Sequence, residues 1–290
     1  MKLCFSCNEA FADTDGWTCP VCGDIPKPCD SIPNFAYKSP GSAGAFPDSF
    51  QNLFQLEANN FWFRSRNKLI VWAIAQFFPD AKRFLEIGCG TGYVLSGISR
   101  SFPDMKLSGG ELSQKGLSFA RERLPNADLL LMDASHIPFN GEFDLIGAFD
   151  VLEHIREDEQ VLKQMRKAVS SVGGGIILTV PQHRFLWSHI DTYSGHVRRY
   201  RAVDLQRKVE RAGFNVVRMT SFVSLLLPLL AVARLGRRKQ PINFNPMTEL
   251  NITEPFNASL EMIMDLERML IRAGLSYPMG GSLLLLAKAS

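Results

Sequence analysis

From residue 83 onward, short apolar runs alternate with longer stretches whose apolar residues return every three or four positions. The short runs predict strands near 83–87, 106–111, 128–132, 143–149, 175–180, 213–218 and 282–288, with helices filling the gaps. Regular strand–helix alternation is the pattern of an α/β, doubly wound, Rossmann-like sheet, here of seven strands. Ligands of such sheets bind beyond the carboxyl ends of the strands. Ahead of the first strand, residues 48 to 78 read as helical, with Leu69, Ile70, Ile74, Phe77 and Phe78 on one face.

Residues 219–275 interrupt the alternation and read as a helical insertion or lid. Phe222 to Ala233 is twelve mostly apolar residues, followed by Arg234, Arg237, Arg238 and Lys239. A bilayer span needs about 20 such residues, so this run is too short to cross one. A buried helix roofing the active site is the leading expectation. An apolar helix with a basic end at 222–239, lying in a membrane interface, is the alternative. Both hold if the substrate carries a lipid. Leu260 to Leu275 then reads as amphipathic.

The first 35 residues follow another logic. Cys4, Cys7, Cys19 and Cys22 are spaced C-x2-C-x11-C-x2-C, two knuckles that supply four thiolates. Such a set suits tetrahedral zinc with no open position, a structural site. Phe5, Phe11, Trp17 and Val21 are too few to make a core, so the metal has to supply much of the folding free energy. A redox pair is the competing reading, and Cys29 lies outside the pattern. The expected division is a zinc ribbon at 1–35, a linker at 36–47 and the α/β domain at 48–290.

Composition changes this picture little. Apolar residues make up 46% and charged residues 21% of 290, ordinary for a globular chain. A net charge of +3 gives no argument for nucleic acid. Met1-Lys2-Leu3 runs straight into Cys4 without a signal-peptide pattern, and the six cysteines suit a reducing compartment. The expected location is the cytoplasm, with peripheral membrane contact if 222–239 lies on lipid.

The chemistry centres on Phe84-Leu85-Glu86-Ile87-Gly88-Cys89-Gly90-Thr91-Gly92. Alternate glycines let the backbone turn tightly and let a ligand approach a helix N-terminus. Glu86 would repel a pyrophosphate and attract an ammonium, and no Lys follows to grip a phosphate. The segment resembles motif I of the class I S-adenosylmethionine (SAM) dependent methyltransferases. Phe149-Asp150-Val151-Leu152-Glu153-His154 likewise resembles the family's motif IV region, which a dehydrogenase has no reason to carry. The Phe61-Trp62-Phe63-Arg64 segment and the ribbon are similar to bacterial members of the broad type 11/12 group.

The resemblance implies that SAM is held by Glu86, Gly88, Cys89, Gly90, Thr91 and Gly92, by Glu111 and Leu112, by Asp133 and Ala134, and by Phe149, Asp150 and Val151. Glu111, at the end of the second strand, would accept from both ribose hydroxyls, as it would for NAD. Asp133 would meet the adenine amino group, or else simply cap a turn. Trp62, Arg64 and Arg66 are candidates to bind a carboxylate. All five histidines (136, 154, 183, 189 and 196) follow strands three to five, on the expected substrate side. His154 and His196 are the candidate bases, and His189, Arg199 and Tyr200 the candidate substrate contacts. His189-x-Asp191 as metal ligands lacks a third partner at fixed spacing.

The leading functional expectation is methyl transfer from SAM to oxygen of a small-molecule, lipid-linked or glycan acceptor. An RNA methyltransferase that reads its substrate through the ribbon is the alternative. Residues 1 to 35 hold two Lys, no Arg and five acids, a poor surface for phosphates. A SAM-binding scaffold without turnover is the third reading.

Overall fold

The structure is a computed structural model that describes residues 1–12, 16–36, 50–235 and 252–290. The expected linker, apart from residue 36, and the basic run at 236–239 lie outside the described residues.

The cysteine-rich segment contributes β1 (Lys2–Leu3) paired with β2 (Ala10–Phe11), then the hairpin β3 (Pro28–Cys29) and β4 (Ile32–Phe35). Helices α1 (Phe50–Leu56) and α2 (Phe61–Phe77) follow. Asn60 starts α2 by accepting the Trp62 N–H with its side chain at 2.9 Å, an N-cap that satisfies one orphan donor. The alternating region then runs β5 (Arg83–Ile87), α3 (Tyr93–Ser101), β6 (Lys106–Glu111), α4 (Gln114–Arg123) and β7 (Asp128–Met132). It continues with β8 (Leu145–Phe149), α5 (Asp158–Ala168), β9 (Gly175–Pro181), the short α6 (His189–Tyr193) and α7 (Ala202–Arg211). The chain closes with β10 (Phe214–Phe222), α8 (Leu227–Leu235), α9 (Glu254–Arg272) and β11 (Ser282–Ala289).

The main sheet has the order β10-β11-β9-β8-β5-β6-β7-β4-β3. Strands β9, β8, β5, β6, β7 and β4 run parallel, and β11 is antiparallel to both of its neighbours. The order reverses direction at β5, flanked by β6 and β8, which opens the ligand crevice there. Alternate residues feed opposite cores. Phe84, Leu145, Ile177 and Leu286 meet Ile70, Ile74, Leu95 and Leu117 on one face. Leu85, Ile146, Leu178 and Leu285 meet Val161, Leu162, Leu205 and Val209 on the other. Both faces are covered, which is why the parallel strands read as nearly unbroken apolar runs.

Three expectations change in detail. β10 runs on to Phe222, so the last connection starts at Val223 and not at 219. Only Leu227–Leu235 of the apolar run is helical, and Leu229 and Val232 are exposed, so a fully buried roof is not what this segment builds. The amphipathic helix begins at Glu254, and its Leu260, Met264 and Ile271 pack into the core beside α2. Arg64 and Lys68 of α2 pair with Glu261 across that contact, at 2.5 and 2.9 Å. Buried Glu267 of α9 accepts the amides of Val223, Ser224 and Leu225 at 2.6–2.7 Å, fixing the turn that leads from β10 into α8.

The ribbon is joined to the sheet it precedes. β4 adds a parallel strand to β7, with Asn34 opposite Leu131 and Phe35 opposite Met132. The Leu3 amide donates to the Pro138 carbonyl at 3.0 Å. An aromatic stack bridges the two parts: Trp17 lies 4.4 Å from Phe35 and 5.4 Å from Phe139, and Phe5 lies 5.4 Å from Phe35. The seven expected strands thus become nine. Because Trp17 is half-buried in this stack, Trp17→Ala should destabilise the chain by about 2 kcal/mol, at the low end for loss of a core aromatic. Urea unfolding of the whole chain measures this, and an unchanged midpoint would mean that the ribbon rests on the domain without supporting it.

Candidate cofactor and acceptor site

The turn after β5 hangs on the end of β6, where the amides of Gly88 and Cys89 both donate to the Gly110 carbonyl, at 2.7 and 3.1 Å. Gly88, Gly90 and Gly92 all have positive φ, between 53° and 74°. At Gly88 a Cβ would lie 2.5 Å from a Val151 methyl, whereas at Gly90 nothing lies closer than the Phe50 ring at 3.8 Å. The loop is therefore closed towards β8 and open above Gly90. Behind it, buried Thr91 donates to Glu57 at 2.6 Å, and Arg123 bonds Glu57 at 2.9 Å and the Thr91 carbonyl at 3.1 Å. Glu57, in the 3-10 turn after α1, and Arg123 of α4 brace the turn, a contribution that nothing in their local sequence signals.

Acidic side chains end the strands. Glu86, at the tip of β5, is 3% exposed, and its Oε2 has no hydrogen-bond partner. Its register neighbours are Gly109 and Gly147, so no side chain flanks it on its own face. Burial pushes its carboxyl well above the usual range, against the pull of the Arg66 charge. The Leu95 amide is the one backbone donor to this carboxylate, and a buried oxygen left without a donor is costly and calls for a cation. Glu111 ends β6 and is already engaged: Oε2 accepts from Gly90 at 3.0 Å and Oε1 from Leu112 and Ser113 at 2.8 and 2.9 Å. It locks the glycine turn, and its remaining lone pairs are what a ribose would meet. Asp133 accepts the Ser135 amide at 2.8 Å through Oδ1, so the turn-capping role is real and leaves Oδ2 for a ligand donor.

Asp150 follows β8 with a φ of 58°, a strained position for a side chain other than Gly or Asn. Its Oδ2 accepts from Thr179 at 3.0 Å and pairs with Arg66. Arg66 comes down from α2 with its guanidinium 4.4 Å from the Trp62 ring, and its Nε is buried and unpartnered. Arg64, two positions away, points to the opposite side of α2 and is held by Glu261, so the helix brings only Arg66 to the strand tips.

Beyond β8 and β9 lies a second cluster. Glu153 and His154 sit in a 3-10 turn, Leu152–His154, and the next helix starts only at Asp158. The His154 and His196 rings meet edge to face at 4.6 Å. Burial, and then the neighbouring His196, push His154 down to about 4. His196 Nδ1 bonds Asp191 at 2.9 Å, and Nε2 lies 3.9 Å from Glu153. Fully buried Asp191 also takes Arg199 at 2.7 and 3.0 Å and the Ser188 hydroxyl at 2.9 Å. Burial works against its ionisation, yet the His196 and Arg199 bonds hold its carboxyl well below the usual range.

Two sequence assignments change here, and the metal reading of His189 and Asp191 stays set aside. Arg199 is spent on Asp191 and the Gln182 carbonyl, and so orders the loop instead of reaching a substrate. Tyr200 is buried, with its hydroxyl on Asp158 at 2.7 Å and the Leu152 carbonyl at 3.2 Å. His189 opens α6 and does not join Asp191 in a ligand set. Sequence reasoning missed Asp191 as a hub because its partners arrive from the far end of the loop.

The four expected cysteines do converge. Their sulfurs all lie within 4.8 Å of one another, with Cys4–Cys22 at 3.5 Å and Cys7–Cys19 at 3.7 Å. Tetrahedral zinc with bonds of about 2.3 Å sets sulfurs about 3.8 Å apart, so the set fits. The two knuckles repeat one another: Asn8 and Gly23 both have positive φ and donate to the carbonyls of Cys4 and Cys19 at 2.9 Å. Amide donation from Cys22 lowers the Cys19 thiol to about 7, whereas, against amide donation, the crowded neighbouring sulfurs raise Cys7 and push Cys22 up to about 12, so a cation would be needed to hold all four as thiolates. Cys29 stands apart from the four.

A family model for a methyltransferase domain matches residues 56–219, more than half of the chain. Trans-aconitate 2-methyltransferase of Variovorax paradoxus is 34% identical over 107 residues, which cover 37% of this chain and 41% of that protein. Demethylmenaquinone methyltransferase of Thermotoga maritima is 28% identical over 112 residues, covering 38% and 48%. The chain thus spans less than half the length of these relatives. Among solved structures, the complex of the Haloferax volcanii Trm112 methyltransferase activator with a methyltransferase is similar with a TM-score of 0.54, at 18% identity, covering 84% of this chain and 96% of that one.

Buried Glu86, with one oxygen unpartnered, generates a prediction with two opposite readouts. Its folded carboxyl titrates higher than in the unfolded chain, so its contribution to stability is full below the unfolded value and is lost as pH rises. Glu86→Gln should therefore stabilise the ligand-free chain, by up to about 1.4 kcal/mol for each pH unit climbed above the unfolded carboxyl value. The same variant should weaken SAM binding at least about tenfold, a charge-assisted bond being lost. Thermal unfolding from pH 5 to 8 and calorimetry with SAM measure the two effects, and unchanged SAM affinity would remove Glu86 from the site. Fold, strand-tip acids and family match agree: the chain belongs to the methyltransferase-domain family, with the class I SAM-dependent fold.

Proposed function

We propose that the chain transfers a methyl group from SAM to an oxygen of a small-molecule, lipid-linked or glycan acceptor. The observation that carries this reading is the buried Glu86 carboxylate, with Oε2 unpartnered, beside the open glycine turn. It fits a cationic nucleoside and disfavours a pyrophosphate. SAM supplies an electrophilic methyl on a sulfonium. Glu86 would take its ammonium, the free Nε of Arg66 its carboxylate, Glu111 its ribose and Asp133 its adenine. Gly88, Gly90 and Gly92 would leave room, with Cys89, Thr91, Leu112, Ala134, Phe149 and Val151 lining the remainder.

The chain's task in such a displacement is alignment and the exclusion of water. α2 covers the crevice with Trp62 and Phe63, and Arg66 tethers it to Asp150. The acceptor would approach over Glu153, His154 and His196. His196 is the better placed of the two histidines, because Asp191 fixes its ring through Nδ1, while burial pushes His154 down to about 4.

Exposed Leu229 and Val232 of α8, and Met262, Leu266 and Met269 of α9, favour an acceptor with an apolar part. No described helix is long and apolar enough to cross a membrane. Cytoplasmic location with peripheral contact through 222–239 is part of this proposal. Zinc in the cysteine cluster would be structural, since four thiolates leave no open position.

The test is methyl transfer from labelled SAM to a panel of carboxylate, quinol and sugar acceptors. SAM and its demethylated product should bind calorimetrically, and NAD should not. His196→Ala should lower kcat at least about a hundredfold, with little change in SAM affinity. Binding without transfer to any acceptor would leave a scaffold. Transfer to RNA alone, falling steeply with salt, would favour the nucleic-acid reading.

A further inference from the structure

We propose that Glu153, His154 and His196 form a second metal site, holding one first-row divalent cation beside the acceptor. Their ligand atoms all lie within 4.8 Å of one another. Glu153 carries the argument. It is fully buried, and neither carboxylate oxygen has a hydrogen-bond partner. Of the charges around it, Asp150 opposes its ionisation while Arg66 and Arg199 favour it, and both arginines are already engaged with other carboxylates. Apart from its own backbone amide, no described neighbour donates to it.

The two histidines are oriented as metal ligands are. A ligating imidazole uses its second nitrogen on a carboxylate or a backbone carbonyl, which fixes the ring. His196 gives Nδ1 to Asp191, leaving Nε2 facing Glu153. His154 bonds the Ser194 backbone with one ring nitrogen, leaving the other for the cluster. Asp191 is itself fixed by Arg199 and Ser188, so the ring of His196 is held from behind. The separation of 3.9 Å between Nε2 and Glu153 is only modestly longer than the contact of about 3.4 Å that tetrahedral bonds of 2.0–2.1 Å set. A small rotamer adjustment closes it.

Two imidazoles and one carboxylate favour zinc, cobalt or iron(II) over magnesium, calcium or manganese, which suit oxygen-rich sets. Three protein ligands leave a coordination position open, unlike the closed cysteine cluster. Cation binding stands on this geometry alone. Its use rests on the function proposed above: a cation here lowers the pKa of a hydroxyl brought beside it, relieving His196 of acting as the base.

The full chain, with zinc in its cysteine cluster, is titrated with Co(II). We expect one equivalent to bind with visible d–d bands and without thiolate charge-transfer absorption, and to raise the thermal midpoint. Glu153→Gln, which keeps shape and removes charge, should weaken cobalt binding at least thirtyfold and abolish the thermal shift. Asp191→Asn, a positioning change, should weaken it about tenfold. Absence of cobalt beyond cysteine exchange, or equal binding by Glu153→Gln, would overturn the site. Failure of SAM to bind would count against the proposed function and leave the cobalt result standing.

Discussion

The ion pair between Arg66 and Asp150 is the contact on which the crevice depends. It ties a helix that precedes the sheet to the tip of β8, across the point where strand order reverses. Around it lie Glu86 and Glu153, both buried and both short of donors. One guanidinium cannot neutralise so much acid in a low-dielectric setting, and burial accordingly drives both carboxyls towards protonation. The crevice is built with a charge deficit that ligands make good. A protein selected only for stability would have apolar residues at these tips.

The same logic separates the two acidic clusters. Glu86 and Glu111 flank the glycine turn, and Glu111 is partly satisfied by three amides that fix the loop. Glu153 lies towards β9, among imidazoles instead of amides. On the readings proposed above, one side would take a nucleoside and the other would serve proton or metal chemistry. Asp150 stands between them in a left-handed conformation, and Thr179 holds it there.

Much of this was legible in the residues. The strands β5, β6 and β7 fall where apolar runs place them, because each is buried on both faces and needs no alternation. The cysteine spacing carries its geometry with it, and the sulfurs converge. What could not be read was which polar side chains spend themselves on one another. Arg64, Arg199 and Tyr200 look like ligand contacts in one dimension, but their partners Glu261, Asp191 and Asp158 lie outside any local pattern. The end of β10 was hidden for a related reason. Thr220 and Ser221 interrupt the apolar run, yet both are buried in pairing with β11.

The pairing of β4 with β7 bears on how the chain assembles. During synthesis the ribbon emerges well before the strand it lies against, so it must wait for its neighbour to be made. Its knuckles are local and close quickly, whereas its seat on the sheet is a long-range contact that forms late. When it arrives it shields the exposed backbone of β7, where another chain could otherwise add a strand. The small cysteine-rich piece thus covers a strand edge of the sheet, quite apart from any chemistry at the strand tips.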